Sequence, residues 1–212
     1  MHTLLWGMSM RGIFRKITSF FLAALILLLL IAGFFRSSAE PTLLKLASEN
    51  ASAGASRLIT RAVSRKVAEG KLSYEKIICF EKDYEGRITA LKTNMQSVNA
   101  LKSDILNDIS NQLPGLHETE IGVPLGNLLL PELFSGTGPK IPVRILSVRK
   151  SDAEFISHFT QAGINQTLHR LSLRVQVNGT ILVLGKILTF SAASTVLVAE
   201  TVIVGQVPNT FS

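Results

Sequence analysis

The chain reads as an α+β protein, an N-terminal transmembrane helix followed by two helices packed on a mainly antiparallel β-meander. Three observations predict it. Residues 17–35 form an uncharged apolar run. Two later stretches repeat apolar residues at three- and four-residue steps, the period of a helix with one buried face. From Ile141 onward apolar and polar residues alternate, as in strands covered on one side.

The apolar run, Ile17 to Phe35, has only Thr18 and Ser19 as polar residues. As a helix it would rise about 28 Å, close to the ~30 Å hydrocarbon core of a bilayer. A helix satisfies its own backbone hydrogen bonds, so such a segment can cross lipid. Arg11, Arg15 and Lys16 precede it and Arg36 follows. The positive-inside rule then leaves residues 1–16 in the cytoplasm and sends 37–212 across the membrane as one extracytoplasmic domain. The alternative is a secretory signal peptide cleaved after Ala39, with Ser37, Ser38 and Ala39 as the small residues. Phe20 to Phe35 is longer than the usual apolar region of such a peptide, roughly 7–15 residues, and a retained anchor is the favoured reading.

The chain has 212 residues, enough beyond the anchor for one domain with a real core. Lys and Arg number 22 against 15 acids. Four of those cations flank the anchor, so the rest of the chain is only mildly basic, which does not fit a nucleic-acid-binding protein. Cys79 is the single cysteine, which rules out an intramolecular disulfide. His2, His117, His158 and His169 are scattered without metal-ligand spacing, so no metal or cofactor is expected. Gly136-Thr137-Gly138-Pro139-Lys140 lacks the Lys-Ser/Thr ending of a phosphate loop, and Pro139 removes a needed N–H.

After Glu40-Pro41, Thr42 fits the N-cap of a first domain helix running to about Glu69, with Gly70 beyond its end. Leu44, Ala47, Ala51, Ala55, Leu58, Ile59, Ala62 and Val63 mark its buried stripe. Arg57, Arg61, Arg65 and Lys66 form a basic row on the other side. A solvated face is the favoured reading of that row, over contact with anionic headgroups or teichoic acid. Lys76–Glu81 and Arg87–Thr93 predict two short strands joined by a turn at Gly86, with Cys79 buried between covered faces. Ser97–Gln112 predicts a second helix, with Val98, Leu101, Ile105, Ile109 and Leu113 inward and Pro114-Gly115 as its stop. Residues 114–142 are Gly- and Pro-rich and predict an apolar loop lying across the sheet or against a partner, including Leu128-Leu129-Leu130.

Ile141 to Leu146 alternates as a strand, and Glu154–Gln161 fits either a strand or a helical turn. His169, Leu171, Leu173, Val175 and Val177 predict the clearest strand face in the chain. Asn178-Gly179 follows as a type I′ hairpin signal, Ile181–Phe190 returns, Ala192-Ala193-Ser194 connects, and Thr195–Val207 ends the meander. Glu200 sits within this last apolar strand. A buried carboxylate there needs a cation, and Arg170, Arg174 and Lys186 are the candidates.

Several words of this sequence resemble the sporulation protein YunB family. They are Gly138-Pro139-Lys140-Ile141-Pro142, then Ala162-Gly163-Ile164-Asn165-Gln166-Thr167, then His169-Arg170, and finally Val198 through Pro208. Order and spacing match over nearly the whole chain, apart from Asn178-Gly179 and the Ala-Ala-Ser segment. The resemblance implies a sporulation protein of an endospore-forming bacterium, made in the mother cell. With the topology above, its domain would face the space between the mother-cell and forespore membranes. It carries no reaction, cofactor or catalytic residue.

The expected function is therefore a membrane-anchored role in spore-envelope formation, through contacts with other envelope proteins and without catalysis. No nucleic acid and no small-molecule substrate is expected. Gly138, Pro139, Gly163, Asn165, Gln166, Thr167, His169, Arg170 and Glu200 are the structural or interaction candidates. The alternatives are a cell-wall-modifying enzyme, for which Glu200 is the best single acid, and a lipid-binding module of the intermembrane space.

Overall fold

A computed structural model describes residues 6–34, 37, 39–116, 118–129, 131–163 and 165–205. His2, Phe35, Arg36, Ser38, His117, Leu130, Ile164 and residues 206–208 lie outside them. Helix α1 spans Trp6–Phe34. Its side chains are described without a break from residue 15 to residue 31. The expected span, residues 17–35, runs past that stretch. Among the described residues no helix is long and apolar enough to cross a membrane.

Helix α2 spans Glu40–Ala68, starting two residues before the expected Thr42 cap, with Pro41 in its first turn. Proline's missing N–H costs nothing there, because that donor has no intrahelical acceptor. Gly70, at φ 66°, closes the other end as expected, its N–H donating to the Val67 carbonyl at 3.0 Å. The buried stripe is Leu43, Ala47, Ala51, Gly54, Ala55, Leu58, Ile59, Ala62 and Val63. Leu43 takes the fully buried place assigned to Leu44, which is half-buried.

The sheet under α2 is an antiparallel meander of three long strands, β5 (Arg144–Gly163), β6 (Gln166–Val183) and β7 (Lys186–Val204), in that order. It settles one open reading and corrects two expectations. Glu154–Gln161 is strand, paired through Glu154↔Arg174 to Gln161↔Thr167. Asn178-Gly179 is not a turn: it lies within β6, facing Ser191 and Phe190 on β7. Ala192-Ala193-Ser194 is not a connection but lies inside β7. Gly179 is required for a different reason. A Cβ there would lie 2.6 Å from Cε1 of Phe190 and 2.7 Å from the Ser147 carbonyl oxygen. The true turn is Leu184-Gly185, with φ of 46° and 75°, closed by Val183↔Lys186. Positive φ at both positions is the type I′ pattern. Leucine in that conformation is unfavourable by about 1–2 kcal/mol.

Helix α2 runs along β7 in the same direction. Ser48 Oγ donates to the Thr189 carbonyl at 3.1 Å, and Ser56 Oγ to the Ala193 carbonyl at 3.3 Å. The Thr60 and Ser194 hydroxyls meet at 2.8 Å. An edge strand presents unpaired carbonyls, and the Ser48 and Ser56 hydroxyls occupy two of them along the first half of β7.

Between α2 and the sheet strands lie smaller elements. A four-residue helix, α3 (Tyr74–Ile77), replaces the start of the first expected strand and leads into β1 (Ile78–Lys82), which pairs with β2 (Ile88–Thr93). Gly86 takes φ 80° in their turn, as expected. Cys79 is exposed, not buried, because only Ile78 of this strand reaches the core and every residue from Cys79 to Lys82 is exposed. Helix α4 (Met95–Gln112) starts two residues early, capped by Asn94 Oδ1 accepting from the Ser97 N–H at 3.1 Å. Val98, Ile105, Ile109 and Leu113 are buried, and Leu101 is partly so.

The basic row on α2 is largely engaged. Lys66 Nζ meets Asp104 at 2.7 Å, Arg65 meets Asp108 at 2.5 Å, and Arg61 lies 3.8 Å from Glu120. Residues 114–142 are folded rather than an open loop. They hold a 3₁₀ turn (Leu113–Gly115), three short helices, α5 (Glu118–Ile121), α6 (Gly126–Leu129) and α7 (Pro131–Phe134), and the paired β3 (Val123–Pro124) and β4 (Lys140–Ile141). Ile121 and Val123 are fully buried and Leu128 packs on the core, while Leu133 and Phe134 on α7 are exposed.

Two substitutions separate this register from the one the Asn-Gly pair suggests. Leu184→Asn should raise stability by about 1 kcal/mol by relieving the left-handed strain. Gly179→Ala should lower it by about 1–3 kcal/mol through overpacking against Phe190. Denaturant midpoints of both variants in detergent micelles measure this, and the opposite order would place the turn at Asn178-Gly179.

Candidate functional site

Strand alternation divides the candidate residues between two faces of β6. His169 points inward and is 1% exposed. Its Nδ1 lies 2.7 Å from the Tyr74 hydroxyl, and its Nε2 lies 2.5 Å from the Ser157 hydroxyl. The Phe159 ring is stacked on the imidazole at 4.2 Å and 7°, and Tyr74 meets it edge-on at 5.5 Å. Tyr74 in turn stacks on Phe80 at 5.7 Å. Three elements thus converge: β6 supplies His169, β5 supplies Ser157 and Phe159, and the α3–β1 segment supplies Tyr74 and Phe80.

Burial lowers the His169 pKa from its ordinary value and raises that of Tyr74. The imidazole is therefore neutral at pH 7, with one ring nitrogen donating and the other accepting. Two arrangements satisfy it. Tyr74 donates to Nδ1 while Nε2–H donates to Ser157, or Nδ1–H donates to Tyr74 while Ser157 donates to Nε2. A Tyr–His–Ser chain of this kind can rigidify a core, and the second arrangement can also polarise an exposed serine hydroxyl. Sequence reasoning singled out His169 and missed Tyr74, Ser157 and Phe159. The signal for two of them was available, since Ser157 and Phe159 share a strand face at spacing two, but the strand itself was ambiguous.

Arg170 points outward. Its Nε donates to Glu200 Oε2 at 2.6 Å across directly paired positions of β6 and β7. Of the three candidate cations Arg170 is the one that pairs with Glu200, but not in the expected buried setting: the two side chains are 49% and 41% exposed. A register shift between Leu171 and Ser172 explains it. The extra residue turns Val198 into the core, at 7% exposed, and leaves Glu200 with Val202 and Val204 on the open face.

The remaining candidates lie in turns and strand pairs. Asn165, at φ 57°, makes the β5–β6 turn, and its carbonyl accepts from the Gly205 N–H at 2.7 Å. Gly163 pairs with Gln166 beside that turn, and Thr167 pairs with Gln161 and Ile203. Gly138 and Pro139 lie apart from this set, in the β3–β4 connection. Gly138 has φ 86°, and the Pro139 carbonyl accepts from Leu125 N–H at 3.0 Å. A cleft of about 450 Å³ between α2 and the end of α4 is lined by Arg61, Arg65, Asn111, Gln112 and Glu120. Among the described residues, no three of His, Cys, Asp and Glu are grouped to hold a metal ion.

Two predictions follow from this geometry. A histidine with a depressed folded pKa binds its proton more readily when unfolded, so its contribution to stability is lost as pH falls below the ordinary value of about 6.5. The native chain should lose stability between about pH 7.5 and 5.5, and His169→Gln should flatten that slope. Asp83, lowered by the Arg87 hydrogen bond, acts only at more acidic pH. Denaturant titrations across the range measure the effect. The exposed Arg170–Glu200 pair sets the second outcome: Glu200→Ala should cost at most about 1 kcal/mol, not the larger penalty of a stranded buried charge. The same titration at neutral pH checks it.

Comparison with known proteins bears on the region that holds most of this site. Residues 120–210 match the family model described as Sporulation protein YunB. A curated protein named Sporulation protein YunB, from Bacillus subtilis (strain 168), is 25% identical over 141 residues. That stretch is 61% of this chain and 55% of the relative, so the match spans about half of the relative's length. No solved structure matches. His169, Ser157, Phe159, Arg170 and Glu200 all fall inside the family region, while Tyr74 lies before it. Over residues 120–210, the chain is thus similar to the Sporulation protein YunB family.

Proposed function

We propose that this chain is a membrane-anchored sporulation protein whose extracytoplasmic domain serves spore-envelope formation by binding, without catalysis. The observation that carries the reading is the state of α1. Its large apolar side chains from Ile17 to Ile31 are about half exposed or more, from Ile17 at 48% to Phe20 at 72%. Exposed apolar surface on this scale is unfavourable in water by about 25 cal/mol per Å², and a bilayer removes the cost. Arg11, Arg15 and Lys16 before the run keep the N-terminus cytoplasmic. The domain then faces the intermembrane space of a sporulating cell, from a membrane of mother-cell origin, with other envelope proteins as its partners.

A fluorescent fusion followed through sporulation, with crosslinking of its neighbours, tests this. The expected result is a full-length chain at the membrane around the forespore, resistant to carbonate extraction and crosslinked to envelope proteins. Recovery of a soluble form beginning near Glu40 would overturn the anchor.

A second reading, a cell-wall-modifying enzyme, is favoured by one contact, the exposed Ser157 hydroxyl against His169 Nε2. A neutral imidazole oriented through its other nitrogen is the arrangement that activates a serine nucleophile. A fluorophosphonate probe separates the readings. Labelling of the native chain that is lost in both Ser157→Ala and His169→Gln would replace binding with catalysis, and no labelling is the expected outcome.

A further inference from the structure

The Leu184-Gly185 turn between β6 and β7 is built at the end of the domain where the chain leaves α1. Lys186 forms an ion pair with Glu40, the first residue of α2. Glu40 follows Phe34, the last residue of α1, by six positions, and six residues reach at most about 20 Å. Whatever surface holds α1 therefore lies close to this turn.

The turn is chemically unlike an ordinary solvent-facing one. Its first position has φ 46° and holds Leu184, where Asn or Gly would sit without strain. Leu184 is 57% exposed and Ile187 66% exposed. Arg144, Leu182 and Ile187 share one row across the outer face, and Lys186 flanks the tip. An apolar tip with cations beside it suits the interfacial zone of a bilayer, where apolar groups enter shallow acyl chains and cations remain at headgroup level. The β1–β2 turn is a contrast within the same domain, because Asp83, Glu85 and Arg87 surround its exposed Tyr84. Backbone strain retained at an exposed apolar residue points to a role outside the fold.

We propose that the Leu184-Gly185 turn, with Ile187, seats in the interface of the bilayer that holds α1. This rests on the anchor reading above and adds an orientation to it. The second contact turns a flexible tether into a fixed stance. His169 lies fourteen positions from Val183 along β6, roughly 45 Å at strand rise, so the far end of the sheet stands well away from the membrane.

The test uses the full chain with its single tryptophan, Trp6, replaced by Phe, carrying Leu184→Trp, Ile187→Trp or Tyr84→Trp. Each is reconstituted into vesicles of equal phosphatidylcholine and phosphatidylglycerol, with or without bromine at shallow acyl positions. Tryptophan at 184 and 187 should be quenched at least twofold by the brominated lipid, and tryptophan at 84 should not. Adding Leu184→Asn to the Ile187→Trp chain should halve the quenching at 187 while leaving flotation with the vesicles unchanged. Flotation without quenching at 184 or 187 overturns the seated turn and leaves the anchor standing. A chain that does not float overturns both.

Discussion

The packing of α2 along β7 is the constraint on which the rest of the domain depends. Ala47, Ala51, Gly54, Ala55 and Ala62 let the helix backbone come close to its neighbours. At Gly54 the approach is so tight that a Cβ would meet Ile121 at 2.5 Å. Close approach is what allows Ser48 and Ser56 to reach strand carbonyls. Larger side chains on that face would hold the helix off and leave the β7 edge open to another chain. Once seated, α2 organises elements from every part of the sequence. Its first residue meets the β6–β7 turn, its Arg65 and Lys66 hold α4, and its middle carries the folded 114–142 segment.

Past the end of α2 the inner face of the sheet needs a different cover. Tyr74, Phe80 and Phe159 provide it around His169, with rings in place of a helix. A polar ring enclosed by aromatics is costly unless both nitrogens are satisfied, and here both are. Such a network specifies one arrangement of α3, β5 and β6, because moving any of them would strand a buried polar atom. The same hydrogen bonds that close the core also leave one serine at its rim, which is why binding and catalysis are separable only by chemistry at Ser157.

The two faces of the meander have different physical roles. The inner face is apolar from Leu171 to Val183 and forms the core with α2. The outer face is open and mixed, with the Arg170–Glu200 pair near one end and the Arg144–Leu182–Ile187 row at the other. The three long strands of the sheet thus carry these two sets of outward residues at opposite ends of one element.

The sequence by itself determined the two long helices of the domain, the strand face from His169 to Val177, the Gly70 and Gly86 positions and the need of Glu200 for a cation, with Arg170 among three candidates. Those features rest on local period, on left-handed backbone that glycine adopts freely, and on the need of an acid in an apolar strand for a cation. The family words around Gly138, Asn165, His169 and Glu200 were legible for the same reason, as unbroken local strings. Tertiary structure alone decided the register of the meander. Asn178-Gly179 has the local chemistry of a turn, but the backbone of β5 and the ring of Phe190 crowd Gly179, and the chain reverses at the strained Leu184 instead. Tertiary structure also decided that Glu200 faces water, through one bulged residue near Val198, and that Tyr74 and Ser157 complete the His169 site. Ninety-five positions separate Tyr74 from His169, and a contact of that span exists only after the sheet, α2 and α3 have packed.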